Sequence, residues 1–138
     1  MKITVIDSQG GGLGRQLIAA LRQRIPQAEI LAVGTNSYAA QVMLKGGADH
    51  AAGGENAVLV ACRDSDLIIG PLGIMIADAM YGEVTPKMAV ASAQARAEKI
   101  PIPFSNCGNY VVGIKDGRVA ALVEEAVQKA EELCAAKQ

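Results

Sequence analysis

Residues 5–17, VIDSQGGGLGRQL, decide the fold, because they place a run of glycines between a strand pattern and a helix pattern. The strand pattern is the short β-branched run at residues 2–6, and the helix pattern is the leucine and isoleucine spacing over residues 13–25. Glycines at such a junction let the backbone turn tightly, and the free amides at a helix N-terminus favour negative charge. The sequence therefore predicts strand, loop and helix, with an anion site in the glycine loop, residues 10–14.

Further strand and helix patterns alternate along the rest of the chain. Strands are predicted at residues 29–33, 48–52, 66–70 and 100–104, with another edge strand at 110–114, and helices at 39–45, 55–63, 85–99 and 119–134. The run at 66–70, DLIIG, is apolar enough to be buried on both faces and is predicted to be the central strand. Such alternation implies right-handed crossovers and a parallel sheet. We predict one α/β domain over residues 1–138, a three-layer Rossmann-like sandwich with a mostly parallel sheet of five to six strands and helices on both faces.

Composition excludes several classes of protein. With 138 residues, 51% of them hydrophobic, the chain can bury a core, so intrinsic disorder is excluded. A formal net charge of −1 and only one Phe and three Tyr exclude nucleic acid and an anionic membrane surface as main partners. The chain has no apolar run near the roughly 20 residues that cross a bilayer and no signal-like start, so we expect a cytoplasmic protein. Three widely spaced cysteines and a single histidine predict reduced thiols and no metal site.

Two known nucleotide-binding turns resemble the glycine loop in part. The dinucleotide pattern G-x-G-x-x-G fits Gly10 and Gly12 but needs a glycine at Arg15. The turn of the short-chain dehydrogenases is similar at Gly12 and Gly14 and has Ser8 in place of its first glycine, but the Tyr-x-x-x-Lys pair of that family is absent. The deviant P-loop of ParA-type ATPases also looks similar, without its two lysines and its magnesium-binding hydroxyl. We discount both activities and retain nucleotide binding, with NAD(P) or another nucleotide as the alternatives for the ligand.

The candidate ligand-binding residues lie at the carboxyl ends of three predicted strands, where open α/β sheets bind their ligands. After the second strand a dinucleotide fold offers an acidic residue to the ribose, whereas this chain has Thr35 and Asn36, which could bond a ribose or serve as a turn and a helix cap. The segment 70–86, GPLGIMIADAMYGEVTP, is predicted to face the glycine loop. The full candidate set is Ser8, Gly10, Gly11, Gly12, Leu13, Gly14, Thr35, Asn36, Gly70, Pro71 and Gly73.

Three side chains at the same edge are candidates for catalysis: Asp78, Cys107 and Asp7. Asp78 could act as an acid or base if burial raised its pKa. The favoured alternative is a solvated carboxylate on the outer face of a helix over residues 74–81 that packs in the core or against a partner. Cys107 has no assigned base, so a structural or free thiol is favoured. A small enzyme, oxidoreductase-like in kind, is therefore an alternative to a binding domain.

The ordered loops VIDSQGGGLGRQL, GTN, GGADHAAGGENA, DLIIGPLGIMIADAMYGEVTP and NCGNYVVG resemble a small bacterial family, common in anaerobic Firmicutes, that is known only as a domain of unknown function. The resemblance covers almost the whole chain and implies a compact, cytoplasmic, Rossmann-like protein, without an activity to transfer. The sequence predicts a small-molecule binding domain for a nucleotide or another phosphorylated ligand. A further alternative is a homo-oligomer or interaction protein in which the apolar segment 72–81 is buried against a partner.

Overall fold

The computed structural model describes residues 1–104 and 108–137 of the chain, and strands alternate with helices along it. The strands are β1 (Lys2–Asp7), β2 (Glu29–Gly34), β3 (His50–Gly53), β4 (Leu67–Pro71) and β5 (Glu98–Ile102). The helices are α1 (Gly12–Arg24), α2 (Ser37–Leu44), α3 (Glu55–Arg63), α4 (Pro86–Gln94) and α5 (Val119–Ala136), and a 3-10 turn at Leu72–Met75 follows β4. The predicted α/β class is confirmed.

The strands form one parallel sheet in the order β3-β2-β1-β4-β5. Val5 of β1 pairs with Ala32 of β2 on one side and with Ile69 of β4 on the other, so β1 is the central strand. The prediction that residues 66–70 form the central strand is wrong. Every residue of β4 is buried, but complete burial marks any strand covered on both faces, whether central or next to the centre.

Helices cover both faces of the sheet. Successive residues of β1 point to opposite faces, with Ile3 and Val5 in one core and Ile6 in the other. The first core packs against α1, α2 and α5, and the second packs against α3 and α4. Full burial of one such aliphatic side chain contributes about 1.5–3 kcal/mol. The two helical layers and the sheet make the three-layer Rossmann-like sandwich that the sequence predicts.

The C-terminal helix α5 packs along α1. Its buried residues recur at the helical spacing predicted from the sequence: Leu122, Val123, Ala126, Val127, Ala130 and Cys134. Arg24 at the end of α1 lies 2.9 Å from both Glu124 and Glu131, so charged side chains join the outer faces of the two helices. Among the described helices, none combines the length and the hydropathy that a bilayer crossing requires.

Helix α4 is shorter than predicted. It begins as predicted, with the Thr85 hydroxyl as its cap and Pro86 at its first position, but it ends at Gln94 rather than at residue 99. Residues 98–102 instead pair with β4 as the edge strand β5. Backbone hydrogen bonds to β4 prevail there over the helix propensity of an alanine-rich stretch, which is only a weak preference.

The edge strand predicted at residues 110–114 is wrong. These residues lie in an irregular loop between β5 and α5. The side chains of Tyr110 and Val112 are 90% and 85% exposed, and Gly113 has a φ of 98°, which is a turn conformation. The apolar residues of this run therefore have no buried face to pack against, and the sheet in the described residues has five strands, all parallel.

Candidate functional site

The glycine loop turns the chain from β1 into α1. The Gly11 amide donates a hydrogen bond to the Ser8 carbonyl over 3.1 Å and closes the turn. Gly11 has a φ of 73°, and a Cβ there would lie 2.8 Å from the Ala39 carbonyl oxygen of α2. Glycine alone combines this left-handed conformation with so close an approach of α2, so Gly11 fixes how α1 begins.

Among the residues that the structure describes, three amides of the glycine loop have no hydrogen-bond acceptor. The Gly14 amide donates to the Asp7 carboxylate over 2.8 Å, whereas the amides of Gly10, Gly12 and Leu13 have no acceptor within the described part of the chain. A Cβ built at Gly10 or Gly12 meets no other atom within 4 Å. Two of the three free donors therefore belong to residues with open space beside them, and all three lie at the positive end of the α1 dipole, where an anion is stabilised.

The Asp7 carboxylate is buried beneath this loop. Its Oδ1 accepts the Ser8 amide and its Oδ2 accepts the Gly14 amide, each over 2.8 Å. Burial raises the pKa of Asp7 above its ordinary value, the two amides oppose that shift, and the charge of Glu83 adds to it. Asp7 thus ties the end of β1 to the first turn of α1, and it is the candidate catalytic side chain that the structure brings to the loop.

Glu83 is a residue of this site that the sequence reasoning did not single out. Its Oε1 accepts three hydrogen bonds, from the Gln9 amide over 2.6 Å, from the Thr35 hydroxyl over 2.7 Å and from the Asn36 side-chain amide. Burial alone would raise the pKa of Glu83, but the hydrogen bonds from Thr35, Gln9 and Asn36 outweigh burial and lower it. Glu83 is therefore ionised at neutral pH and joins three loops of the sheet edge.

Thr35 and Asn36 have structural partners at the end of β2. The Asn36 Oδ1 accepts a hydrogen bond from the Ala39 amide over 2.7 Å and caps α2, which is one of the roles that the sequence leaves open for Asn36. The Thr35 amide donates to the Asp7 carbonyl over 2.9 Å. Both side chains also donate to Glu83, so they stand at the candidate site and hold its carboxylate in place.

The β4–α4 loop, residues 72–85, folds back over the glycine loop, as predicted. The Met80 sulfur contacts the Ser8 hydroxyl, and Glu83 contacts the Gln9 amide. A helix over residues 74–81 is not formed, because Asp78, Met80 and Tyr81 all have a φ near 60°, which no right-handed helix accommodates. The segment is a 3-10 turn followed by tight turns.

The apolar residues of this loop pack mainly within the domain. Ile74, Ala79 and Val84 belong to the second core, whereas Tyr81 is fully exposed. Asp78 lies on an exposed turn and does not line the cavity beside the glycine loop. The structure therefore agrees with the solvated alternative for Asp78, although on a turn rather than on a helix.

A cavity of about 180 Å³ opens between the glycine loop and the β4–α4 loop. Residues 7–13 line it together with Pro71, Met80 and Phe104. It is smaller than the roughly 300–1,000 Å³ of sites that enclose a whole small molecule, so it fits one group of a ligand whose remainder lies on the open rim. A cavity of about 290 Å³ lies at the opposite edge, near Met1 and Cys134, but the free amides belong to the smaller one.

Other predicted ligand-binding residues are placed differently. A Cβ at Gly14 would overlap a methionine side chain of α2, and a Cβ at Gly70 would overlap a carbonyl oxygen of β1, so packing accounts for both glycines. Pro71 lines the cavity, whereas Gly73 is buried in the 3-10 turn and lies outside the cavity lining. The structure thus brings together the first loop, the end of β2 and Pro71.

The cysteines supply no reactive group among the described residues. Cys62 and Cys134 are buried on helices, as the sequence predicts. Burial raises the pKa of Cys62 to about 11, so its thiol stays protonated at neutral pH. Cys107 lies outside the described residues. Within residues 1–104 and 108–137, the structure has no group of three His, Cys, Asp or Glu side chains that could hold a metal ion.

The buried Asp7 predicts a pH dependence of stability. Its pKa is raised in the folded protein above the ordinary value of 3.8, so as pH rises through the interval between the two values the folded state keeps a proton that the unfolded state has lost. The free energy of unfolding therefore falls across that interval and then levels off. For Asp7→Asn, which lacks this titration, we expect the stability relative to the wild type to increase with pH over the same interval.

Urea unfolding of both proteins between pH 3 and pH 8 measures this difference. A constant offset is expected from the acceptor oxygen that asparagine lacks, and the pH-dependent part reports the ionisation of Asp7. Two profiles that stay parallel throughout would contradict a raised pKa for Asp7.

Comparison with known protein families shows the family to which this chain belongs. Residues 2–135 match the domain of unknown function DUF3842, so the chain belongs to that family. A comparison with curated proteins and one with solved structures both return no match. The family match spans the whole sheet and all of the loops that form the candidate site.

Proposed function

We propose that this member of the DUF3842 family binds a small phosphorylated ligand, a nucleotide above all, with the anionic group of the ligand on the glycine loop. One observation carries the proposal: the free amides of Gly10, Gly12 and Leu13 belong to residues that line a cavity at the N-terminus of α1. Backbone donors at a helix N-terminus bind phosphate groups through hydrogen bonds and through the helix dipole.

The position in the sheet supports the same ligand class. The cavity lies beyond the carboxyl end of β1, with β2 on one side of that strand and β4 on the other. The direction of winding reverses between these two neighbours. Open α/β sheets bind their ligands at such a reversal, so fold and loop chemistry favour one location.

The two carboxylates near the cavity leave the anion site open. Asp7 bonds the amides of Ser8 and Gly14, and Glu83 bonds the Gln9 amide and two side chains of the β2 end. Neither carboxylate occupies the free amides. The helix dipole and these amides offset the repulsion that a ligand phosphate would feel from the carboxylates.

Catalysis at this site stays a hypothesis. Asp7 lines the cavity, Asp78 lies on an exposed turn, and Cys107 is outside the described residues. Asp7 is therefore the side chain to replace first in any search for turnover. A homo-oligomer also stays a prediction, which the molar mass in dilute solution would check.

A thermal-shift panel tests the binding proposal. The purified chain is heated with NAD, NADP, ATP, GTP, coenzyme A, flavins and S-adenosylmethionine, with sodium sulfate at equal ionic strength as the control. A ligand that binds only the folded state, at about a hundredfold over its Kd, adds about 2.7 kcal/mol and raises Tm. We expect at least one nucleotide to do so beyond sulfate. A panel in which no compound exceeds sulfate would contradict the nucleotide assignment.

A further inference from the structure

We infer that the Glu83 carboxylate accepts a hydrogen bond from the 2′-hydroxyl of a ribose, so that the ligand is a nucleotide with a free ribose diol. This inference rests on the proposed function, because it places the sugar next to a phosphate on the glycine loop. Its starting point is the Glu83 carboxylate, which joins Gln9, Thr35 and Asn36 at the carboxyl end of β2.

Glu83 lies where doubly wound folds place the acidic residue that binds a ribose. In doubly wound sheets an acidic residue beyond the second strand accepts a hydrogen bond from a ribose hydroxyl of a bound dinucleotide. Here the second strand is followed by Thr35 and Asn36, which carry no charge. Glu83 lies 47 residues further along the chain than Asn36 and brings a carboxylate to the same place from the β4–α4 loop.

Within the described part of the chain, one carboxylate oxygen of Glu83 is occupied and the other is free. Oε1 takes all three donors, and Oε2 has no partner within the described residues. Three hydrogen bonds hold the carboxylate in one orientation and keep it ionised, and the side chain is only partly buried. A fixed, ionised oxygen on a partly exposed side chain is a strong acceptor for a ligand hydroxyl, and binding it requires little reorganisation.

The anion site and Glu83 use different donors in adjacent residues. Glu83 takes the Gln9 amide, and the next amide, that of Gly10, is free together with those of Gly12 and Leu13. A ligand phosphate can therefore occupy the loop without displacing Glu83. This arrangement favours a role for Glu83 as the acceptor of a sugar hydroxyl. It disfavours a role in which Glu83 competes with the ligand phosphate for the loop amides.

Two exposed aromatic residues are close in sequence to the two ends of the Asn36–Glu83 hydrogen bond. Tyr38 is two residues after Asn36 and is 66% exposed, and Tyr81 is two residues before Glu83 and is 102% exposed. The chain has only four aromatic residues, and two of them are this near in sequence to Asn36 and Glu83. Exposed aromatic rings stack on nucleotide bases, so these tyrosines are the candidates for contact with the base of a nucleotide whose ribose is bound by Glu83.

Calorimetric titration with a hydroxyl-deleted ligand tests the inference. The probes are ADP, GDP, UDP and CDP, and the tightest binder is compared with its 2′-deoxy counterpart on wild type, Glu83→Gln and the exposed control Glu125→Gln. We expect the wild type and the control to prefer the ribonucleotide by about tenfold or more, the range of one hydrogen bond to a charged group. Glu83→Gln should bind the ribonucleotide about tenfold more weakly and lose the preference.

The outcomes separate the inference from the proposed function. Tight binding without a preference for the 2′-hydroxyl in the wild type, or an unchanged preference in Glu83→Gln, would overturn the role of Glu83 and leave phosphate binding standing. Tighter binding by Glu83→Gln would make Glu83 a competitor for the ligand and would also overturn the inference. Failure of all four ribonucleoside diphosphates to bind would overturn the inference, and the thermal-shift panel would then decide separately whether the proposed function stands. The deoxy ligand tests the contact in the wild type, so the inference does not depend on how well the variant folds.

Discussion

Gly12→Asp is expected to weaken nucleotide binding by more than about a hundredfold while the domain stays folded. A Cβ at Gly12 meets no atom within 4 Å, so the new side chain fits without a clash. Its carboxylate would stand at the first turn of α1, where it competes for the free amides and repels a phosphate. Two unit charges about 4 Å apart near a protein surface interact by about 4 kcal/mol, and about 2.7 kcal/mol suffices for a hundredfold change in Kd.

Calorimetry with the ligand identified by the thermal-shift panel measures this effect, and Gly12→Ala is its matched control. Alanine adds the same Cβ without the charge, so we expect its Kd to stay within a few-fold of the wild type. An acidic residue in the first turn also suits the helix dipole, so the Tm of Gly12→Asp should not fall. Undiminished binding by Gly12→Asp would place the anion away from the glycine loop.

Gly11→Ala is expected to destabilise the fold by about 2–5 kcal/mol. The φ of 73° at Gly11 costs a residue with a Cβ about 1–2 kcal/mol. The added Cβ would also lie 2.8 Å from the Ala39 carbonyl oxygen and 3.0 Å from its Cα. Backbone atoms cannot turn aside as a flexible side chain can, so α2 has to move, and overpacking of this kind costs about 1–3 kcal/mol.

Urea unfolding gives the free energy for Gly11→Ala, and Gly10→Ala is the control one residue away. Gly10 has open space around its Cβ position and no positive φ, so its stability should change by less than about 1 kcal/mol. Equal stabilities of the two variants would contradict the role given to Gly11 in the turn.

Local patterns in the sequence are enough to predict most of the elements. The helix spacing over residues 119–134 and the pair Thr85–Pro86 each act within a few residues, and both are found as predicted. The order of the strands in the sheet cannot be predicted from such local patterns. The apolar run of β4 does not indicate whether its neighbours are β1 and β5 or another pair, because burial depends on both faces of the sheet and not on strand order.

The candidate site also has a part that the sequence predicts and a part that it does not. The glycine loop is visible in the sequence, because its turn depends on the local conformation of residues such as Gly11. Glu83 is not visible, because its partners Thr35 and Asn36 are 48 and 47 residues away along the chain. Asp78 and Glu83 stand in the same loop, and the positive-φ residues over 78–82 turn the chain between the exposed Asp78 and the Glu83 that reaches the site.

The most direct test of phosphate binding is a ¹⁵N-resolved NMR titration of the folded chain with inorganic pyrophosphate, the anionic part that many nucleotides share. Binding at the glycine loop predicts that the amide resonances of Gly10, Gly12 and Leu13 shift most and saturate along one binding curve. The Gly14 amide should shift less, because it already donates to Asp7. Shifts confined to exposed lysines and arginines, with the glycine loop unmoved, would contradict the account.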